Sequence, residues 1–266
     1  MIPFFRKIRK KTADDNRPIK YARYAIGEIV LVVIGILIAL QINTWNEDRK
    51  SKKATMVYMD RLIDDLKSDT LMLSDHIASA VLKNQFCKKV KKVVHHNEII
   101  QDTNAFVIQL QGVGRALRPA VSTNTIDDLK STGNLKLVKE IEITNSIRNY
   151  YNFSPEWWFE QYTDQLVNGY LPIVVDAIPM HIHEEILSRE NIQLTPTAGY
   201  VGKKISHVNA EDLEAILTYL RADENFDFQL KRITRSHLVH ARLLTGLKDN
   251  AVSLLNDLEQ WKALKE

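Results

Sequence analysis

The chain has 266 residues, a net charge of +3, 45% hydrophobic and 26% charged residues, the balance of an ordinary globular protein. So small a positive excess gives no ground for a nucleic-acid partner, and nine Gly with seven Pro are too few for a loop-rich all-β fold. The single cysteine, Cys87, excludes an internal disulfide and any cysteine-based zinc or iron–sulfur site. The composition calls for long helices, and nothing in it calls for a cofactor.

Residues 1–23 are basic, with Arg6, Lys7, Arg9, Lys10, Lys11, Arg17, Lys20 and Arg23. MIPFFRKIRKK mixes Phe4, Phe5 and Ile8 with cations, which suits either a segment lying on an anionic leaflet or a plain basic tail. Residues 29–40 then read IVLVVIGILIAL without a break, and from Tyr24 to Trp45 only Glu28, Gln41 and Asn43 are strongly polar. A helix over these residues is roughly 33 Å long at about 1.5 Å per residue, enough for a hydrocarbon core of about 30 Å. Tyr21, Tyr24 and Trp45 supply aromatic belts. No small-residue cleavage site follows Ala39, so the span reads as an uncleaved signal anchor in the lipid bilayer. Fewer cations follow the span (Arg49, Lys50, Lys52, Lys53, Arg61), which predicts a cytoplasmic N-terminus and residues 46–266 outside a cell inner membrane. Glu28 is either a contact for a partner helix or a carboxylate near Arg23 and Lys20 at the interface. Gly35 and Ala39 make a small-xxx-small pair, continued by Gly27 and Leu31, so a homo-oligomer or a partner membrane protein has a face to use.

Beyond Trp45 the pattern becomes amphipathic. Met59, Ile63, Leu66, Thr70, Leu73, Ile77, Ala80, Asn84 and Cys87 step by three and four, the seam of one long helix into which the span runs. Shorter helices are predicted near 103–117 and 125–131, the latter with Thr125 as N-cap, Asp128 at the capping-box position and Gly133 as the stop. Ile143, Ile147, Tyr150 and Tyr151 mark another helix, and Pro155 opens the next into EWWFEQYTDQLVNGYL. LPIVVDAIP reads as a helix end or loop, and 188–208 as a loop with room for a short hairpin. Asn209 caps a helix with Leu213, Ile216, Leu217 and Leu220 on one face. From Leu230 through Ile233, His237, His240, Leu244, Leu247, Ala251, Leu254 and Leu258 to Trp261 the spacing is unbroken. The reading is an all-α fold: residues 24–45 a transmembrane helix, and 46–266 a helical bundle whose long first and last helices pack antiparallel.

Candidate chemistry is sparse. His181, His183, Glu184 and Glu185 form HIHEE, whose histidines are two apart and share no helix face, so a solvated loop is expected rather than a metal site. His95, His96 and Glu98 are a weaker cluster of the same kind, and QGVGRALRP is no phosphate loop. His237 and His240 fall on the last helix's apolar seam, opposite Asn84 in the antiparallel pairing. A polar layer fixing register is the first explanation, with a pH-sensitive or metal-binding role as the other. Tyr150, Tyr151, Phe153, Trp157, Trp158, Phe159 and Tyr162 gather aromatic bulk. Adjacent Trp157 and Trp158 cannot both face inward, so one of them is a candidate ligand or partner surface.

The segments YAIGEIVLVVIGILIALQINTWNEDRK, FFRKIRKK, IDDLKSTGNLKLVK, IRNYYN and DENFDFQLKR resemble a family of uncharacterised single-span membrane proteins of diderm bacteria, a domain-of-unknown-function family. Thr44 stands where that family's usual pattern has Asn. The resemblance implies an inner-membrane protein with a helical ectodomain, and it implies no activity and no catalytic residues. Two classes of function follow: a non-enzymatic envelope protein that binds a ligand or acts through a partner, and, as the alternative, an envelope enzyme with a folded-together His/carboxylate site.

Overall fold

The computed structural model describes residues 18–138, 140–153, 156–197, 199–202, 204–206 and 208–265. The basic stretch 1–17 and the expected helix-opening Pro155 lie outside them. The chain divides into two compact units, residues 1–57 and 58–266. Helix α1 is Pro18–His96. In the first unit it carries an 18-residue window of mean hydropathy 2.6, none of it buried, and it is the one helix among the described residues long and apolar enough to cross a membrane. Ile29 to Leu40 present their side chains outward, as a surface meant for lipid would.

The second unit is all-α apart from one hairpin. After α1 come α2 (Thr103–Gly112), α3 (Asn124–Ser131), a 3-10 turn (Asn134–Leu137), α4 (Ile141–Asn152), α5 (Glu156–Asp164), α6 (Leu171–Ala177) and α7 (Met180–Ile186). Strands β1 (Ile192–Thr195) and β2 (Gly199–Gly202) pair antiparallel with Ile192 opposite Gly202, and α8 (Ala210–Ala222) and α9 (Phe226–Ala263) complete the chain. LPIVVDAIP is therefore mostly helix. Between α5 and α6 the backbone widens into one π turn, Gln165–Tyr170, immediately before Pro172. Proline has no N–H for the carbonyl four residues back, and a wider turn absorbs that missing bond.

The cap expectations divide. Asn209 accepts from the Asp212 N–H while Asp212 accepts from the Asn209 N–H, a complete capping box. Helix α3 instead starts at Asn124 behind Thr123, and Thr125 is buried inside it rather than capping it. Gly133 ends α3 at φ 68°, a left-handed position that suits glycine.

Residues 58–96 of α1 pair antiparallel with α9. Lys262 reaches Asp60 at 2.7 Å, Lys67 reaches Glu259 at 3.2 Å, the Asn84 amide donates to the Thr234 carbonyl at 2.6 Å, and His95 meets Asp227 at 2.5 Å. The seams face each other as spaced. Met59, Ile63, Leu66, Leu73, Ala80 and Cys87 are buried on one side, and every seam residue from Leu230 to Trp261 on the other. Carbodiimide treatment of the full chain, followed by peptide mapping, is expected to join Asp60 to Lys262 and Lys67 to Glu259. Carboxyl–lysine links that instead require a parallel register would contradict this pairing.

Candidate functional site

Inside the bundle the α1–α9 seam is not wholly apolar. His76, Lys83 and Asn84 project from α1, and Ser236, His237 and His240 from α9; all but half-buried Lys83 are buried. Helix α5 supplies their partners. The Tyr162 hydroxyl lies 2.8 Å from His237 Nδ1, and its ring stacks on His240 with centroids 4.2 Å apart. The Trp158 indole donates to His240 Nδ1 at 3.4 Å, so that nitrogen acts as an acceptor and the ring is the neutral tautomer protonated at Nε2. Burial pulls His237 down to about 3, with Lys83 and then His240 adding to it, and pulls His240 down to about 4, with His76 and Lys83 adding to it. His76 is lowered by burial and by Lys83, against the opposing pull of Asp75. Among the described residues the carboxylate beside these bases, Asp75, is exposed, and none is buried within the layer.

The buried carboxylate sits elsewhere. Asp69 on α1 is 1% exposed, accepting from the Ser122 N–H at 2.9 Å and from the Tyr150 hydroxyl at 2.8 Å. Burial raises its pKa, with the Ser122 and Tyr150 bonds pulling the other way. It ties the 113–123 connection and α4 to α1. Among the described residues the histidine–carboxylate pairs lie outside this layer: His95 meets Asp227 at the surface, and exposed His181 meets the largely covered side chain of Asp212.

Beside the histidine layer lies a cavity of about 510 Å³ walled by Tyr150, Tyr151, Trp158, Phe159, His240 and Leu244. Arg118, Ala120, Thr123 and Phe153 also line it, and all four are exposed. Size and lining fit a site for a small ligand with an aromatic or apolar body.

The candidate residues fall as follows. Asn84, His237 and His240 come together in the layer. Trp157 is 68% exposed, whereas Trp158 is buried, which removes Trp158 from the outer surface and places it in the cavity wall. HIHEE is a helix, α7, not a solvated loop. His183 is buried, donating from Nε2 to the Val175 carbonyl at 2.8 Å and accepting at Nδ1 from Gln111 at 3.3 Å. His181 and Glu184 are exposed, and Glu185 bonds Ser206. Among the described residues no group of three His, Cys, Asp or Glu is placed to hold a metal ion. In the span, Glu28, Gly35 and Ala39 are exposed. Asp69, His76 and Lys83 were not singled out from the sequence. Asp69 and His76 sit about four and two turns before Asn84 on the helix, but one position off the apolar seam, where polarity reads as solvent-facing.

An apolar N-terminal helix and a helical bundle with an internal cavity fit the class of membrane-anchored proteins. Residues 28–91 match a family of unknown function, DUF6090, over the part of the chain holding most of the span and the α1 half of the seam. No curated protein and no solved structure matches the chain.

Two outcomes follow from the polar interior. A buried histidine with a lowered pKa takes up its proton more readily when unfolded, so stability is full above about pH 6.5 and falls as the pH drops toward 4 and 3. Each of His237 and His240 contributes a slope of about 1.4 kcal/mol per pH unit in that window. Urea unfolding of the full chain in micelles should show this decline, and His237→Leu with His240→Leu should flatten it; an unchanged slope in the double variant would refute the assignment. Tyr150→Phe, which strips one donor from buried Asp69, should cost about 1–3 kcal/mol in the same assay.

Proposed function

We propose that the chain is a membrane-anchored, non-enzymatic binding protein: its span sits in a cell inner membrane with a cytoplasmic N-terminus, and its extracytoplasmic bundle takes a small apolar or aromatic ligand. The observation that carries this reading is the cavity walled by Tyr150, Tyr151, Trp158 and Phe159. Its one imidazole, His240, is held neutral and already accepts a hydrogen bond from Trp158. A ring engaged in this way holds ligand walls in place and is poorly free to move protons. The excess of cations before Tyr24 supports the orientation. A signal would pass to a partner through the membrane helix, and Glu28, Gly35 and Ala39 are the contact face this reading assigns. Exposed Trp157 is the corresponding partner contact on the bundle.

Two measurements test it. Indole titrated calorimetrically onto the micelle-bound full chain is expected to give saturable heat, lost in Ala120→Phe, which fills the cavity from an exposed position. Absence of saturable binding, or binding indifferent to the substitution, would remove the ligand reading. A periplasmic phosphatase fused after Glu266 should be active and a cytoplasmic reporter at the same place silent; the reverse pattern would overturn the orientation.

A further inference from the structure

A second cavity, sharing no lining residue with the aromatic one, runs along α1 and includes Lys83 in its wall. It is about 840 Å³, bounded by α1, by α2 and by the hairpin residues Pro196, Thr197 and Gly202. Its walls are mainly apolar, with Ala78, Leu82, Phe86, Ile108 and Val113. Leu82 is 64% exposed although it stands in the middle of a bundle helix, an unpaid hydrophobic surface unless something covers it. From Asp75 to Lys89 the groove follows α1 for roughly 21 Å, at about 1.5 Å per residue.

Three charged groups line the groove, Asp75, Lys83 and Lys89, and Lys89, half-buried, stands about 9 Å beyond Lys83 along the helix, at the groove's far end. Asp75 is at the exposed end, about 12 Å along the helix from Lys83 by the same rise. Lys83 is half-buried, and its Nζ donates one hydrogen bond, 2.6 Å to the Arg115 carbonyl. An ammonium has three donors, and among the described residues no carboxylate pairs with this one. The protein packed around it pulls its pKa down to about 8, so it remains largely charged at neutral pH. Of the titratable groups around it, Cys87 pulls the other way but is a buried thiol that burial pushes up to about 12, and His76, His237 and His240 are bases, so none supplies a negative charge at neutral pH. An enclosed cation without a counter-ion is costly to keep, and a bound anion would relieve that cost.

We propose that this groove binds a single-chain amphiphile, its acyl or alkyl chain along Leu82, Phe86 and Ile108 and its anionic head, a carboxylate or a phosphate, on Lys83. The apolar walls argue against a free inorganic anion, and the position of the domain beyond a membrane span gives such amphiphiles a source. That last step rests on the membrane reading, not on the aromatic cavity. Gly112 provides a means of closing the groove: it lines the wall, and a Cβ built there meets nothing within 4 Å, so a larger side chain enters empty space.

The test uses the full chain in lipid nanodiscs with three diazirine-bearing probes of equal chain length, a carboxylate, a phosphate monoester and a neutral alcohol, and maps labelled peptides by tandem mass spectrometry. Labelling of residues 24–45 reports on membrane insertion and serves as the internal standard. The acidic probes are expected to label peptides containing Leu82, Phe86 or Ile108, the stronger of the two identifying the head group. Excess unlabelled acid should displace them. Lys83→Met should weaken groove labelling by about tenfold or more, the scale of a lost charged hydrogen bond, with the span unchanged. Lys83→Arg should retain it, and Gly112→Leu should abolish it. Loss of the uncompensated cation leaves Lys83→Met at least as resistant to heat as the parent, so weakened labelling is not unfolding. Groove labelling equal for the alcohol, insensitive to Lys83→Met, or absent while the span is labelled would overturn the proposal. Absence of label in both span and groove would overturn the membrane reading with it.

Discussion

The bundle depends on two long helices meeting in one antiparallel register. Apolar seams alone tolerate slippage by a turn, because one leucine packs much like another. Polar groups on the seam do not, since each must find its own partner or lose a hydrogen bond inside the protein. Asn84 meets the Thr234 carbonyl, His237 meets Tyr162, and His240 accepts from Trp158. The first crosses from α1 to α9 and the other two tie α9 to α5, so a slip of α9 past both neighbours would strand all three. Helix α5 thereby becomes part of the register device, and the aromatic wall of the cavity is built from the same residues that fix it.

That device has an electrostatic character. The middle of the seam holds His76, Lys83, His237 and His240 without a carboxylate, while the buried carboxylate, Asp69, lies two turns before His76, with Ser122 and Tyr150. In a medium of low polarity such bases stay neutral where they can. The histidines do so, and Lys83, the strongest base, keeps its proton and faces the groove. One polar layer thus sets register, holds the aromatic cavity and presents a cation to the other side.

Much of the architecture was legible because long amphipathic helices repeat their signal. The Leu230–Trp261 and Met59–Cys87 seams, the span and the Asn209 cap each follow from local spacing. The failures have local causes as well. HIHEE looked solvated because two histidines and two glutamates outweigh Ile182 and Ile186, and only the folded chain supplies Gln111 and the Val175 carbonyl to satisfy His183. Thr125 had the chemistry of a cap but was claimed by the core. The Asp69–Tyr150 bond joins residues 81 apart, and no periodicity within one helix encodes such a pairing. Trp158 could be separated from Trp157 only once α5 had a neighbour to face. The groove on Lys83 was invisible for the same reason, since α1, α2 and the hairpin each contribute one wall.

The register, the cavity wall and the placing of the cation rest together on the histidine layer being closed and neutral. Histidine-resolved nitrogen NMR on the full chain in micelles reads this directly. The account predicts that His237 and His240 keep the shifts of neutral rings down to about pH 5, with His240 protonated at Nε2. Titration of both near 6.5, the ordinary value of a solvated imidazole, would show a layer open to water and contradict it.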